Sequence, residues 1–240
     1  MFAILNISDT NTIFSKPKIK SQRIILPDGE VFFTVTTEKH LGRVPWKKLE
    51  SCMGILRKDV ILKGGVTLPE GCSITEFSPE IYPRILLMNT AVSKLKGSRH
   101  RSLVVYDEKG LYMENMDNLA CIFDRIRVVT SVADKYDNVA RKLMENSGFS
   151  LEVSEKPSYD ADVVISHRCD VPLYFSGRVF TNERRFLMNA EVYAGCNIDL
   201  PEEYEKLRPE GVESLVFASA LYEKCKVKNL GKIIYSDFDS

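Results

Sequence analysis

Short apolar runs alternate with helical patterns between residues 102 and 166. The apolar runs cover 102–106, 127–130 and 161–166, and helical patterns lie between them at 118–123 and from about residue 131 to Gly148. Parallel strands need long crossover connections, which are usually helices. The alternation therefore predicts a parallel sheet with helices packed against it.

The first 78 residues have a different pattern, rich in strands. Alternating or apolar runs at 2–6, 23–26, 31–36 and 59–62 predict four strands, and the residues Pro27-Asp28-Gly29-Glu30 are typical of a hairpin turn. A short helix is expected around 46–56. We therefore predict two parts, a β-rich region over 1–78 and an α/β domain over 79–240.

Three further elements complete the prediction for the second part. A helix over 79–96 begins with a capping Ser78 and ends near Gly97, and a buried apolar helix covers 212–225. The run 151–153 is short and charged, which favours a strand at the edge of a sheet. A last strand is expected at 232–235.

Composition and charge favour a globular protein and give little sign of a polyanionic partner. The 240 residues are 44% hydrophobic, and 33 basic residues balance 33 acidic ones, which argues against nucleic acid. The balance is uneven, because residues 1–101 contain 16 basic and 9 acidic residues. Two halves packed together explain this asymmetry, and a basic first half that binds an anionic polymer is the alternative.

The cysteines and the amino terminus indicate the compartment. The six cysteines are at least 20 residues apart, so no pair has the spacing of a metal knuckle or a redox motif. The sequence shows no export signal and no apolar run long enough to cross a bilayer. We therefore expect a cytoplasmic protein with no membrane partner.

Open parallel sheets bind ligands outside the carboxyl ends of their strands, where the strand order reverses. If the strands at 102–106 and 162–166 are neighbours, this crevice is lined by the segments that follow the strands. The candidate ligand-binding residues in those segments are Asp107, Gly110, Thr130, Ser131, Ser166 and His167.

The order of these patterns resembles the NADP-binding domain of shikimate dehydrogenase and glutamyl-tRNA reductase. The resemblance covers about 65 residues and lies in a polar tip at Thr130-Ser131, a helix that ends at Gly148, and the run Ala161-Asp162-Val163-Val164-Ile165. It implies a Rossmann-like, mostly parallel sheet flanked by helices. It makes NADP a candidate cofactor, while the residues themselves leave the cofactor unknown.

The first turn departs from that family's pattern. A glycine-rich fingerprint lets backbone amides approach a pyrophosphate closely, whereas this turn reads Asp107-Glu108-Lys109-Gly110 and has a single glycine. Two carboxylates would repel two phosphates. Asp107 then either closes the turn or binds a ribose, a metal or a cationic ligand, and dinucleotide binding in the usual mode is not expected.

A histidine, a cysteine and an acid follow the last apolar run of the unit. His167, Cys169 and Asp170 could supply a base, a nucleophile and an orienting group. Alternate residues of an extended segment point to opposite sides, so Asp170 would face away from the other two. A loop histidine beside a buried thiol is the alternative interpretation.

Two functions remain open besides the anionic-polymer hypothesis. The first is a non-catalytic Rossmann-like protein that regulates or interacts with a protein partner or a small molecule, because the sheet pattern is complete while the phosphate turn and a catalytic set are missing. The second is an oxidoreductase or transferase that binds a nucleotide-containing cofactor in a non-standard mode.

Overall fold

The computed structural model describes residues 1–12, 16–63, 66–169, 171–183, 187–194 and 196–235. Its contacts divide the chain into two compact units, residues 1–82 with 198–232 and residues 83–197 with 233–240. Asp170, the candidate orienting group named with His167 and Cys169, lies outside the described residues. Among the described residues, no helix has both the length and the apolar character required to cross a membrane.

The first unit is built on a four-stranded sheet in which a hairpin is extended by two parallel strands. The strand order is β2-β3-β1-β4, with β2 antiparallel to β3 and the other neighbours parallel. The strands are β1 (Ala3–Thr12), β2 (Ile19–Ile25), β3 (Val31–His40) and β4 (Val60–Leu62). All four strands expected in the β-rich region are present, and the short helix is α1 (Trp46–Met53).

The last long helix also belongs to the first unit. Helices α5 (Glu202–Glu205) and α6 (Ser214–Cys225) lie in its second segment. Phe217 of α6 packs edge-on against the stacked rings of Phe2 and Phe32, and all three side chains are completely buried. The predicted buried helix is therefore observed, and aromatic packing places it with the β-rich region rather than with the parallel sheet.

The second unit contains a six-stranded, entirely parallel sheet, which confirms the predicted fold class. Its order is β10-β9-β8-β5-β6-β7. The strands are β5 (His100–Tyr106), β6 (Phe123–Val129), β7 (Leu151–Ser154), β8 (Val163–Ile165), β9 (Arg178–Thr181) and β10 (Glu191–Ala194). Numbered within this sheet, the order is 3-2-1-4-5-6, which is that of Rossmann domains.

Helices cover one face of this sheet. They are α2 (Tyr82–Leu95), α3 (Met116–Ala120) and α4 (Asp137–Ser147). Side chains of α2 such as Met88 and Leu95 share a buried cluster with Val105, Ile126 and Ile165 of the strands. A fully buried parallel strand needs apolar side chains on both faces, as the short runs in the sequence indicated.

Loops cover the opposite face. Val104, Val164 and Val179 of the strands pack against Phe175 and Leu187, which lie in the connections from β8 to β9 and from β9 to β10. These connections contain no helix within the described residues. The second half of the unit thus keeps the Rossmann strand order with shorter crossovers than the helical ones of the first half. A two-stranded sheet of β11 (Cys196–Asp199) and β12 (Lys232–Tyr235) completes the fold.

Candidate functional site

The strand order of the second unit reverses between β5 and β8. These two strands are parallel neighbours with Val105 opposite Ile165. The chain continues from β5 to β6 on one side and from β8 to β9 on the other, so the connections that leave their carboxyl ends diverge. Because such a divergence opens a crevice in α/β sheets, the predicted ligand-binding location has the expected topology.

Asp107 lies directly after β5 and is completely buried. Its Oδ2 atom accepts hydrogen bonds from the backbone N–H of Tyr112 at 2.9 Å and from the hydroxyl of Tyr136 at 2.5 Å. Its Oδ1 atom is buried without a hydrogen-bond partner. One carboxylate oxygen therefore fixes the turn, and the other remains able to accept a hydrogen bond.

Gly110 is needed for the shape of this turn. Its φ of +68° is in the left-handed region, and its N–H donates to the carbonyl of Asp107 at 3.4 Å. A Cβ atom at this position would lie 2.9 Å from Cδ of Lys135. Gly110 is thus a turn residue in close contact with the segment before α4.

The turn does not form the usual phosphate cradle. In a dinucleotide-binding domain, free amides at the start of a long helix receive the pyrophosphate. Here α3 has only five residues, and the amide of Tyr112 is already bonded to Asp107. The carboxylate of Asp107 thus accepts a hydrogen bond from a backbone N–H of the kind that would bind a phosphate.

Two buried tyrosines surround Asp107. Burial raises the pKa of both Tyr112 and Tyr136, and the neighbouring charge of Asp107 raises each pKa further. Both phenols therefore stay protonated, and Tyr136 acts as a donor to Asp107. The hydroxyl of Tyr112 is buried without a partner.

Arg84 brings a buried positive charge to the same region. It lies in the first turn of α2, is 4% exposed, and its Nη2 atom contacts Oε2 of Glu108 at 3.2 Å. Its Nε atom has no hydrogen-bond partner. Arg84 was not among the residues predicted from the sequence. A cation in the first turn of a helix opposes the helix dipole, which is a signal that another interaction holds it there.

His167 follows β8 and is partly buried. Its Nδ1 atom is 2.8 Å from Nδ2 of Asn182, which also donates to the carbonyl of Pro83 at 3.0 Å. Because that carbonyl can only accept, the amide orientation is fixed, so Nδ1 accepts and the proton lies on Nε2. Burial, followed by the charges of Arg84 and Arg168, lowers the pKa of His167 to about 4. Near neutral pH His167 is consequently a neutral donor.

Ser166 and Cys169 are directed elsewhere. The N–H of Ser166 bonds to the carbonyl of Phe180, and its Oγ atom is buried without a partner. Alternation along β8 places Ser166 on the face of Val164, opposite to the face of Asp107. Cys169 is 2% exposed within the apolar cluster on that face, and its N–H donates to Oγ1 of Thr181.

Thr130 and Ser131 follow β6, next to β5. Thr130 is buried, its N–H donates to the carbonyl of Ser154, and its Oγ1 accepts from the N–H of Val132 at 3.1 Å. Ser131 is exposed. The hydroxyl of Thr130 therefore has a structural role in the turn that leads to α4.

The site that these contacts define shares Asp107 and His167 with the predicted one. We call it the switch-point site and define it by Arg84, Asp107, Tyr112, Tyr136 and His167. Buried polar atoms in folded proteins nearly always have partners, and an unsatisfied one costs about 1–3 kcal/mol. Three such atoms here, on Arg84, Asp107 and Tyr112, are consistent with a polar ligand or water that completes the site.

Other features of the described residues offer less chemistry. No group of three or more His, Cys, Asp or Glu residues in the described part of the chain could hold a metal ion. The first unit has an open cleft of about 420 Å³, and Glu76 and Glu213 are the charged residues among its described lining.

Comparisons with known proteins found no match to a family or a curated sequence and a weak match to a solved structure. No family model matches the chain, and no curated protein matches its sequence. A structure of Δ(1)-pyrroline-2-carboxylate reductase from Thermococcus litoralis, in complex with NADH and L-proline, is similar with a TM-score of 0.30 and 7% identity. The match covers 74% of this chain and 59% of that one. The class of fold, a Rossmann-like α/β sheet in a chain that also contains a smaller β-rich unit, therefore rests on the observed strand order.

Proposed function

We propose that the protein is a non-catalytic binding protein whose second unit recognises a small polar molecule at the switch-point site. The observation that carries this proposal is the set of three buried, unpartnered polar atoms on Arg84, Asp107 and Tyr112, at the point of the sheet where ligands are expected. A ligand that supplies their missing hydrogen bonds would stabilise the folded protein.

Two properties favour binding over catalysis. His167, with a pKa lowered to about 4, is a poor proton acceptor near neutral pH. Cys169 is 2% exposed within an apolar cluster on the face of the sheet opposite to that of Asp107, whereas a nucleophile has to be accessible to its substrate. The residues of the switch-point site are therefore suited to hold a molecule rather than to transfer its protons.

A nucleotide-containing cofactor in a non-standard mode is the second candidate. The strand order is the observation that favours it, because dinucleotide-binding domains have the same order. The order of the sequence patterns, which resembles that of NADP-dependent enzymes, agrees with it. The bond from the Tyr112 amide to Asp107 argues against the usual mode. NADP would have to bind without the first-turn amides.

A thermal-shift panel tests the proposal. The panel contains amino acids, hydroxy acids, sugar phosphates, NAD, NADP and S-adenosylmethionine, and a ligand at 100 times its Kd should stabilise the protein by about 2.7 kcal/mol. The shift should disappear in Arg84→Met and persist in Arg99→Met, whose side chain is mostly exposed and paired with Asp124. A shift that Arg84→Met leaves intact, or a flat response to the whole panel, would contradict the proposal.

A further inference from the structure

We propose that the ligand of the switch-point site carries an oxyanion that replaces the carboxylate of Glu108 on Arg84, and a neighbouring hydroxyl or ammonium group that donates to Asp107. This inference rests on the proposed function and names the chemical class of its ligand. The oxyanion is the shared chemistry of carboxylates and phosphate monoesters.

The guanidinium of Arg84 is buried but only partly paired. A guanidinium is always charged, and burial of such a charge is costly unless it is fully paired. The single contact of Nη2 with Glu108 leaves Nε unpaired, whereas an arginine can hold an oxyanion through two parallel hydrogen bonds. Arg84 therefore has unused capacity for a second oxygen.

Glu108 is well placed to be exchanged. Its side chain is 51% exposed, and it lies on the turn after β5, while the side chain of Arg84 is 5% exposed. Exposed carboxylates gain little from an ion pair, because water competes for them. Glu108 can therefore move into solvent at small cost and leave its position on Arg84 to an oxyanion.

The remaining groups near Arg84 are mainly donors. The backbone N–H of Tyr112 bonds to Asp107, which precedes Glu108, and the ring of His167 is linked through Asn182 to the carbonyl of Pro83, which precedes Arg84. The charge of Arg84 also acts on the pKa of both Tyr112 and His167, so these groups share one neighbourhood. The Nε2–H of His167 and the O–H of Tyr112 can both donate to an oxyanion. A site with three kinds of donor selects an acceptor-rich group.

Asp107 supplies a buried, unpartnered oxygen that can only accept, and its charge limits the charge of the ligand. Its Oδ1 atom needs a donor, which a hydroxyl or ammonium next to the oxyanion would provide. A second anionic group at that place would be repelled by the carboxylate of Asp107, and more strongly in a cleft than in water. Small hydroxy or amino acids and simple phosphate monoesters fit this pattern better than a pyrophosphate.

Glu108→Gln provides the decisive experiment, because it removes a competing charge and leaves the other named groups in place. The probes are D-glycerate, L-alanine and glycerol 3-phosphate as oxyanions, with glycerol and ethanolamine as neutral and cationic controls, and Kd is measured by calorimetry. At least one oxyanion should bind about two- to five-fold more tightly to Glu108→Gln, as expected when a half-exposed ion pair is removed. Glu114→Gln, an exposed acid of the following segment, should leave Kd unchanged.

The outcomes separate this inference from the proposed function. Weaker or unchanged oxyanion binding in Glu108→Gln overturns the inference, as does tight binding of glycerol or ethanolamine alone. In the second case a ligand still binds, so the proposed function survives, whereas the absence of any binding ends both. A comparison of the Kd values of glycerate and alanine with that of glycerol 3-phosphate distinguishes a carboxylate ligand from a phosphate ligand. The result from Glu108→Gln does not depend on whether Arg84→Met folds.

Discussion

The carboxyl group of Asp107 is held by two donors, one from the backbone and one from a side chain. Replacement of Tyr136 by Phe removes the side-chain donor at 2.5 Å and leaves a buried oxygen with one bond fewer. We expect Tyr136→Phe to lower the free energy of unfolding by about 1–3 kcal/mol. Urea unfolding followed by circular dichroism measures this loss.

Tyr112→Phe is the matched control for that substitution. Both tyrosines belong to the same buried cluster, but the hydroxyl of Tyr112 has no hydrogen-bond partner in the structure. Its removal should leave the free energy of unfolding within about 0.5 kcal/mol of the original value or raise it. Equal losses in the two variants would show that the hydroxyl of Tyr136 has no special contact with Asp107.

His167 should make the folded state sensitive to mild acid. Its pKa is about 4 in the folded protein and about 6.5 in the unfolded chain, so the unfolded state binds more protons between these values. The contribution of His167 is therefore unfavourable below about pH 6.5 and grows as the pH falls towards 4. As the pH falls from about 7 to about 4.5, urea titrations should show a smaller decrease in the free energy of unfolding for His167→Gln than for the wild-type protein. Parallel pH profiles for the two proteins would contradict the lowered pKa.

At the scale of elements, helix α2 begins where a distant side chain caps it. Oε1 of Glu223, on α6, accepts hydrogen bonds from the backbone N–H groups of Glu80, Ile81 and Tyr82 at 2.8–3.1 Å. The sequence predicted a start at residue 79 with Ser78 as the cap, and the structure begins α2 at Tyr82. A cap supplied from more than 140 residues away has no local signal.

Loss of this cap should cost stability in proportion to what is removed. We expect Glu223→Ala to lower the free energy of unfolding by about 1–2 kcal/mol, because three N–H groups lose their acceptor. Glu223→Gln keeps an acceptor oxygen and loses only the charge near the helix start, so its cost should be about 0.3–1 kcal/mol. Urea unfolding of both variants tests the order, and a glutamine variant that costs as much as the alanine one would refute the role of the acceptor.

Elements with local signals were predictable, and those that depend on pairing were not. Gly148 ends α4 in the left-handed conformation, as expected from its position after the apolar stripe. The strands β9 and β10 have four residues each, and their places are fixed by pairing with β8 and with each other. Such short runs between loops give no periodic pattern that would indicate strands before their partners are known.

The same distinction applies to the candidate site. Asp107 and His167 could be found because they lie within two residues of the carboxyl ends of β5 and β8. Arg84, Tyr112 and Tyr136 lie outside the strands, and only folding brings the tyrosines against Asp107 and Arg84 against Glu108. Thr130 and Ser166 follow strands too, but a turn and side-chain alternation give them other surroundings. Position after a strand thus selects candidates, and the three-dimensional contacts decide among them.

For the whole molecule, the two units differ in how the chain forms them. The parallel sheet lies within the continuous segment 83–197, whereas the β-rich unit needs both 1–82 and 198–232. In the β-rich unit, Phe217 of α6 covers the stacked rings of Phe2 and Phe32. A fragment that lacks α6 exposes these rings to water, and each buried aromatic or aliphatic side chain contributes about 1.5–3 kcal/mol.

Fragments should therefore behave unequally, and this tests the predicted boundary after residue 78. We expect residues 1–78 alone to show no cooperative urea transition, since marginal domains cannot lose several buried side chains. Residues 83–197 should unfold cooperatively, because their six strands and three helices share one buried cluster on the helical face. Residues 1–82 joined to 198–232 by a flexible linker are the matched control and should recover a cooperative transition. A cooperative transition in 1–78 alone would mean that α6 is dispensable and that the β-rich region folds without it.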